Sequence, residues 1–481
     1  MALNRAARPA AAPSPSGQRH ARPAPRRTCS IGWLLAAALA AVPASAQNLL
    51  AVYRDALQDN PSLEKAREGV EAVVESQSQA QAALFLPEAS FSANVARDYQ
   101  NIRYGGAAAI GLGGRSEFMT GAYSLSISQP LLHIDRWVAL EQADNRVAQA
   151  EADSSAAEIA LMLKVCERYF DVLAAEENLK FAQAQQQSLQ RKLNEAEQRR
   201  AVGFLALTDV QESRAGHDRA VADAIAADHQ LRDAREGLRE TAGQQYPQLD
   251  ALSADMPLLA PEPADEQRWV ELALTQNYGL LAQQKAVQVA QDEIQRQRAG
   301  HLPTLDASGS HGFATSGGRF GSADIEDDVI GLNLNLPLYQ GGRTESRTRE
   351  AEHRYRQALA DLAQQKRAVR RGASNAYLGV VAGISRVKAL RQALKSAEAG
   401  LAATQAGFNA GRRTALDIIV AERELLGAQR DYARARYDYL LDSLRLKQAV
   451  GSLSPADLEQ VNRWLIPAKT NEREDAGTPL P

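Results

Sequence analysis

The 481 residues carry 55 Lys and Arg against 58 Asp and Glu, enough chain for two or three domains and no basic excess of the kind that holds nucleic acid. Two cysteines exclude a disulfide-stapled scaffold. Beyond the N-terminal leader there is no run of about 18 consecutive apolar residues, which excludes a transmembrane helix and leaves strands as the only route into a bilayer.

In chain order, residues 1–46 read as a signal peptide. Six arginines and no acidic residue precede the apolar run IGWLLAAALAAV, Ile31 to Val42, and Ala44-Ser45-Ala46 supplies small residues for cleavage. The run is too short for a membrane anchor. Arg26-Arg27 resembles a twin-arginine signal, although its flanks fit poorly. Cleavage leaves 49 basic against 58 acidic residues, a net charge near −9. No cysteine opens the mature chain, so no lipid anchor is expected. Cys166 shares a helical face with Ile159, Tyr169 and Leu173 and reads as a small packed apolar group.

The mature chain reads as a tandem duplication. ALQDNPSL with Asn60 is matched by ALTQNYGL with Asn277. LFLPEASFSA is matched by GHLPTLDASG, which sets Pro87 against Pro303. Leu125–Pro130 is matched by Leu332–Pro337. Tyr169, Val172, Lys180 and Ser188 recur 208 residues later as Tyr377, Val380, Lys388 and Ser396. The first repeat is expected over 47–255, with strands at 86–97 and 121–130. The second is expected over 256–466, with strands at 303–313 and 329–338. A polar, disordered tail is expected over 467–481.

Within each repeat the strands alternate apolar and small polar residues. Phe91, Ala93 and Val95 alternate with Ser90, Ser92 and Asn94, and Tyr123, Leu125 and Ile127 with Ser124, Ser126 and Ser128. Ile330, Leu332, Leu334 and Leu336 alternate with Gly331, Asn333 and Asn335. TLDASGSHGF is the least regular strand. Long loops are expected at 98–120 and 314–328. The pattern suits a soluble sheet packed on helices, or a barrel wall with lipid outside and a polar lumen inside. Runs of about ten residues match a tilted strand across a bilayer. Four strands cannot enclose a lumen, since about eight is the smallest barrel, and open edges in lipid cost several kcal/mol per unpaired group. The chain must therefore oligomerise to enter a membrane; two, three or four copies remain open at this point.

After each strand pair comes a long helix. Between Arg136 and Ala201 there is neither Gly nor Pro, which gives a helix of roughly 100 Å. Ile159, Met162, Cys166, Tyr169 and Leu173 keep a 3-4 spacing, a coiled-coil seam. Gly372, Gly379 and Gly383 interrupt the second copy. Each helix ends in a similar turn, GFLALTD from Gly203 to Asp209 and GRRTALD from Gly411 to Asp417. The turns are expected at 203–208 and 411–414. Each glycine suits a left-handed helix end. Thr208 with Gln211 fits a capping box, and Asp209 suits the positive helix terminus. Those aspartates serve either to stabilise the turns or to do something further.

This order of elements, with YRDALQDNPSL, GHLPTLDASG, LPLYQGG, VGFLALTDVQ and AGRRTALDII in sequence, resembles the TolC family of outer-membrane channel-tunnels over about Asn48 to Leu465. The resemblance implies a mainly α fold with a membrane β-barrel. In it a trimeric α-barrel tunnel of long coiled-coil helices joins a shared 12-stranded β-barrel. It implies an outer-membrane exit duct with a periplasmic extension. Such a duct docks with a periplasmic adaptor and an inner-membrane ABC or proton-driven transporter, and exports proteins by type I secretion or small molecules by efflux. It places Thr208 and Asp209 at contacts that shut the periplasmic mouth, and Arg413 as the tie of the inner hairpin to its neighbours. Phe408 stands where the family has a tyrosine, so one closing hydroxyl is lost. Asp417 matches the first of two lumenal aspartates and Val420 the second, giving three carboxylates per trimer instead of six. Residues 246–269 and those beyond Ser452 would form an equatorial band. A soluble periplasmic coiled-coil adaptor is the alternative. An enzyme is the least supported class: the seven histidines show no metal-ligand spacing, no Gly-rich phosphate loop follows a strand, and neither metal nor cofactor is expected.

Overall fold

The computed structural model describes residues 47–103, 114–253, 255–318 and 321–467. The signal peptide expected over 1–46 and, Pro467 aside, the tail expected over 467–481 lie outside them. The described residues fall in one unit. Its elements recur in one order. First come α1 (Leu49–Asp59), α2 (Pro61–Phe85), β1 (Glu88–Ile102), β2 (Gly114–Leu132), α3 (Ile134–Ala201) and α4 (Leu207–Ala242). A short β3 (Ala251–Leu252) intervenes. Then come α5 (Glu266–Gln276), α6 (Tyr278–Arg298), β4 (Thr304–Gly318), β5 (Gly321–Asn335), α7 (Arg343–Asn409) and α8 (Ala415–Val450). A short α9 (Pro455–Asn462) and β6 (Leu465–Ile466) follow.

The 68-residue α3 and 67-residue α7 are each about 100 Å long at 1.5 Å per residue. Such rods cannot bury themselves, so α3 lies along α2, α4, α6 and α8, and α7 along α6 and α8. The seam read from the sequence is real, since Ile159, Met162, Cys166, Tyr169 and Leu173 are all buried. They join Leu49, Val52 and Tyr53 of α1, Leu238 of α4, Tyr437 and Leu440 of α8 and Leu458 of α9 in the main core. Phe170 stacks on Tyr437 with centroids 5.5 Å apart. The Tyr169 hydroxyl donates to the backbone carbonyls of Asp250, at 2.9 Å, and Gln47, at 3.2 Å. Burial pushes the Cys166 thiol well above its ordinary range, as expected of a packed apolar group.

The sheet has the order β1-β2-β4-β5, antiparallel throughout. Paired residues share a face, so Phe91, Leu125, His311 and Asp328 lie in one row, and Ser90, Ser126, Ser310 and Val329 in an adjacent row on the other face. The first face carries Phe91, Val95, Tyr123, Leu125, Ile127, Ile330, Leu332 and Leu334, all exposed. On the second, the Ser90 and Ser126 hydroxyls lie 2.7 Å apart. A soluble sheet would bury that apolar face under a helix; among the described residues none covers it. No helix of the described residues is long and apolar enough to cross a membrane.

Two sequence expectations need adjusting. The strands run further into the expected loops, because polar residues pair there: the Thr120 hydroxyl donates to Asp98 at 2.8 Å, and Arg97 pairs with Glu117. β5 begins at Gly321 and ends at Asn335, so Leu336 and Leu338 lie beyond it. Ahead of each hairpin stand two helices that the sequence pattern did not single out.

Candidate functional site: the paired helical turns

The α3–α4 and α7–α8 turns share one backbone design. In the first, the Gly203 N–H donates to Arg200 O and the Phe204 N–H to Arg199 O, both at 2.9 Å. In the second, the Gly411 N–H donates to Phe408 O at 2.9 Å and the Arg412 N–H to Gly407 O at 2.8 Å. These are the same bonds 208 residues apart. They need a left-handed residue, and Gly203 and Gly411 supply φ of 81° and 70° without a Cβ penalty.

The first cap is not the one expected. Helix α4 begins at Leu207, so Thr208 lies inside its first turn, exposed, and does not cap it. The N-cap is Ala206, which has no side-chain acceptor; Asp209, at the third helical position, accepts from the Ala206 N–H at 3.3 Å. The second turn holds the full box. The Thr414 hydroxyl accepts from the Asp417 N–H at 3.2 Å, and the Asp417 carboxylate accepts from the Thr414 N–H at 2.8 Å and its hydroxyl at 2.9 Å. Those bonds, from the backbone and then the side chain of Thr414, hold the Asp417 carboxyl below its usual range, helped by Arg413. Arg413 Nη1 stands 4.0 Å from Asp417. Among the described residues no hydrogen bond or ion pair joins Arg413 to Thr208 or Asp209.

Asp209 and Thr414 line one cleft of about 540 Å³ between the hairpins, with Lys192, Arg199 and Ile419. Leu205 fixes the first turn by tucking against Leu193, Ala196 and Val210, whereas Phe204 is 82% exposed. Phe408 is half-buried and Val420 is 38% exposed.

Sequence reasoning missed the tie above this cleft. Glu422 Oε2 accepts from the Ser188 hydroxyl at 2.6 Å and from Lys192 Nζ at 2.8 Å, joining α8 to α3. The pair is mostly shielded, with side chains 17% and 27% exposed. One signal was available. In the 208-residue register Lys192 falls against Gly400 and Glu422 against Arg214, so each charge departs from the repeat.

Helical hairpins of this length, joined to a sheet with an apolar face and two edges unpaired among the described residues, define a subunit of a membrane channel with a long extramembrane tunnel. The family model for outer membrane efflux proteins matches residues 52–244 and 269–452. The chain is 34% identical to the outer membrane protein TolC of Vibrio cholerae, covering 88% of this chain and 95% of that one. It is 28% identical to the alkaline protease secretion protein AprF of Pseudomonas aeruginosa, covering 92% of each. The crystal structure of the Campylobacter jejuni CmeC outer membrane channel superposes with a TM-score of 0.71 at 17% identity, over 87% of this chain and 90% of that one.

The chain belongs to the outer membrane efflux protein family. It is a channel protein of the Gram-negative outer membrane, of the kind that serves type I secretion or efflux.

Proposed function

We propose that three copies of this chain form the outer-membrane exit of an export machine. Residues 47–255 and 256–466 contribute one repeat each. The observation that carries this is the uncovered apolar face of a four-stranded sheet whose outer edges, on β1 and β5, have no partner among the described residues. Three such sheets supply twelve strands, enough to close a lumen. A periplasmic adaptor and an inner-membrane transporter, ABC-type or proton-driven, would dock at the far end of the helices and choose the cargo. The likeness to a protease secretion protein supports protein export; the match to the outer membrane efflux protein family supports small molecules as the second reading. The protein acts as a passive duct and not as an enzyme. The test is the mass of the detergent-extracted protein together with its conductance in planar bilayers. A monomer without conductance refutes the proposal.

The paired turns then form the closed periplasmic mouth. Thr208 and Asp209 face the neighbouring hairpin, Arg413 ties the inner hairpin, and Asp417 rings the lumen with Val420 adding no charge. Phe408 offers no hydroxyl to this closure, and the Ser188–Lys192–Glu422 tie takes over part of that work. Asp417→Asn keeps an acceptor for the Thr414 N–H and removes only the charge. It should lower the cation preference read from the reversal potential under a salt gradient; an unmoved potential would falsify the filter role. The depressed Asp417 pKa gives this group a stabilising contribution that is present above the ordinary carboxylate value and lost as pH falls through the lowered one. Cation preference should therefore persist as the pH drops through the usual carboxylate range.

The tie makes its own prediction. Lys192→Glu and Glu422→Lys should each raise resting conductance by setting like charges together. The double exchange should bring it back toward wild type. Wild-type leak in both single variants, or no recovery in the exchange, removes the tie from the gate.

A further inference from the structure

We infer that the duplication fixes how β5 of one subunit pairs with β1 of the next, residue by residue. The inference rests on the trimeric reading above and adds the register of the contact. From the first repeat to the second, β1 maps to β4 by 216 residues, as Pro87 to Pro303, and β2 to β5 by 207, as Leu125 to Leu332. These offsets came from sequence matches, and the hairpin ladders test them independently. Shifting the first-hairpin pair Glu88/Ser128 gives Thr304/Asn335, which is the pair found in the second hairpin. Shifting Ile102/Gly114 at the other end gives Gly318/Gly321, again the observed pair. The two hairpins are thus one unit used twice, in register along their whole length.

The remaining internal contact, β2 with β4, is where one such unit meets the next. A ring of identical units repeats that contact, with β5 in place of β2 and β1 of the partner subunit in place of β4. The observed pair Ser126/Ser310 then becomes Asn333 with Asn94 of the partner subunit. Leu125/His311 becomes Leu332 with Val95 of the partner subunit, and Ile127/Gly309 becomes Leu334 with Ala93 of the partner subunit. Tyr123/Phe313 and Gly121/Thr315 become Ile330 with Arg97 of the partner subunit and Asp328 with Tyr99 of the partner subunit.

The chemistry agrees on both faces. In the central rows Leu332 meets Val95 of the partner subunit and Leu334 meets Ala93 of the partner subunit on the outer side, and Asn333 meets Asn94 of the partner subunit on the inner side. A slip of one residue would turn every side chain to the wrong face. Charge agrees as well. Arg97 sits on the outer face beside Glu117 of its own subunit, and Asp328 of β5, on that same face, arrives diagonally across the joint.

Disulfide trapping reads the register directly. Directly opposed residues have Cα atoms about 4.5–5.5 Å apart, within disulfide reach, whereas diagonal neighbours are about 7–8 Å apart. Full-length protein carrying Asn94→Cys and Asn333→Cys, oxidised in outer-membrane fractions, should run on denaturing gels as covalently linked dimers and trimers. Asn94→Cys with Gly331→Cys, or with Asn335→Cys, should link several-fold less. Stronger linkage through position 331 or 335 overturns the register, as does a detergent-stable trimer in which none of the three pairs links. A detergent-extracted monomer overturns the trimeric reading itself, and the joint with it.

Discussion

Leu125→Arg should cost about 2–4 kcal/mol, the penalty for a cation at the midplane on the lipid side of a barrel. Outer-membrane yield and resistance of the assembly to denaturing detergent should fall together. Leu125 lies in the middle of β2, flanked in the ladder by Phe91 and His311, and stays 44% exposed in the protomer with no helix over it. The matched control is Ser126→Arg, one residue along and on the small polar face, where an arginine meets lumenal water. The contrast between neighbours separates the two environments a sheet like this could have. A soluble sheet offers both residues to water and gives two mild phenotypes; a barrel wall gives one severe and one mild. Equal tolerance of the two arginines would return the sheet to the periplasm.

What could be read in the sequence follows from where its signals are strong. The long helices were legible because α3 runs without Gly or Pro and keeps a steady seam through Cys166 and Tyr169. The turns were legible because they are written twice. Helices α2 and α6 were not, since α2 buries only Leu63 and Leu84 over 25 residues and so shows no continuous apolar stripe. The far ends of the strands were missed because Asp324 to Asp328 has the composition of a loop. Strand pairing beyond the apolar band is set by cross-strand polar contacts, such as the Thr120 hydroxyl on Asp98 at 2.8 Å, and those cannot be seen in one strand alone. The first cap was misplaced by taking the hydroxyl as its mark. In the repeat register Thr414 corresponds to Ala206 and not to Thr208, so only the second turn has a hydroxyl where a cap needs it. The Lys192–Glu422 tie joins residues 230 apart, a distance that no local periodicity spans.

Asn60→Ala should cost about 0.5–2 kcal/mol through loss of a helix cap, and about 1–3 kcal/mol more through a buried carbonyl left without its donor. The side chain serves both ends of a joint. Its Oδ1 accepts from the N–H groups of Ser62 and Leu63, at 3.0 and 3.3 Å, which starts α2. Its Nδ2 donates to the Thr241 carbonyl at 2.9 Å, in the last turn of α4. Asn277 repeats the arrangement, with Oδ1 on the Leu280 N–H and Nδ2 on the Ala449 carbonyl, both at 3.0 Å. Thr241 and Ala449 are themselves 208 residues apart, so the duplicated sequence has duplicated the bond as well as the residue. Asn60 is buried and Asn277 only half-buried, so the first should be the costlier to remove. Asn60→Ser separates the two contributions, because a serine hydroxyl can still cap α2 but is too short to reach Thr241; it should recover the cap's share alone. Chemical denaturation followed by tryptophan fluorescence reads all three variants. If Asn60→Ala and Asn277→Ala both unfold with the wild type, the joint is not held by these bonds, and the apolar core around Tyr53 and Tyr169 carries it unaided.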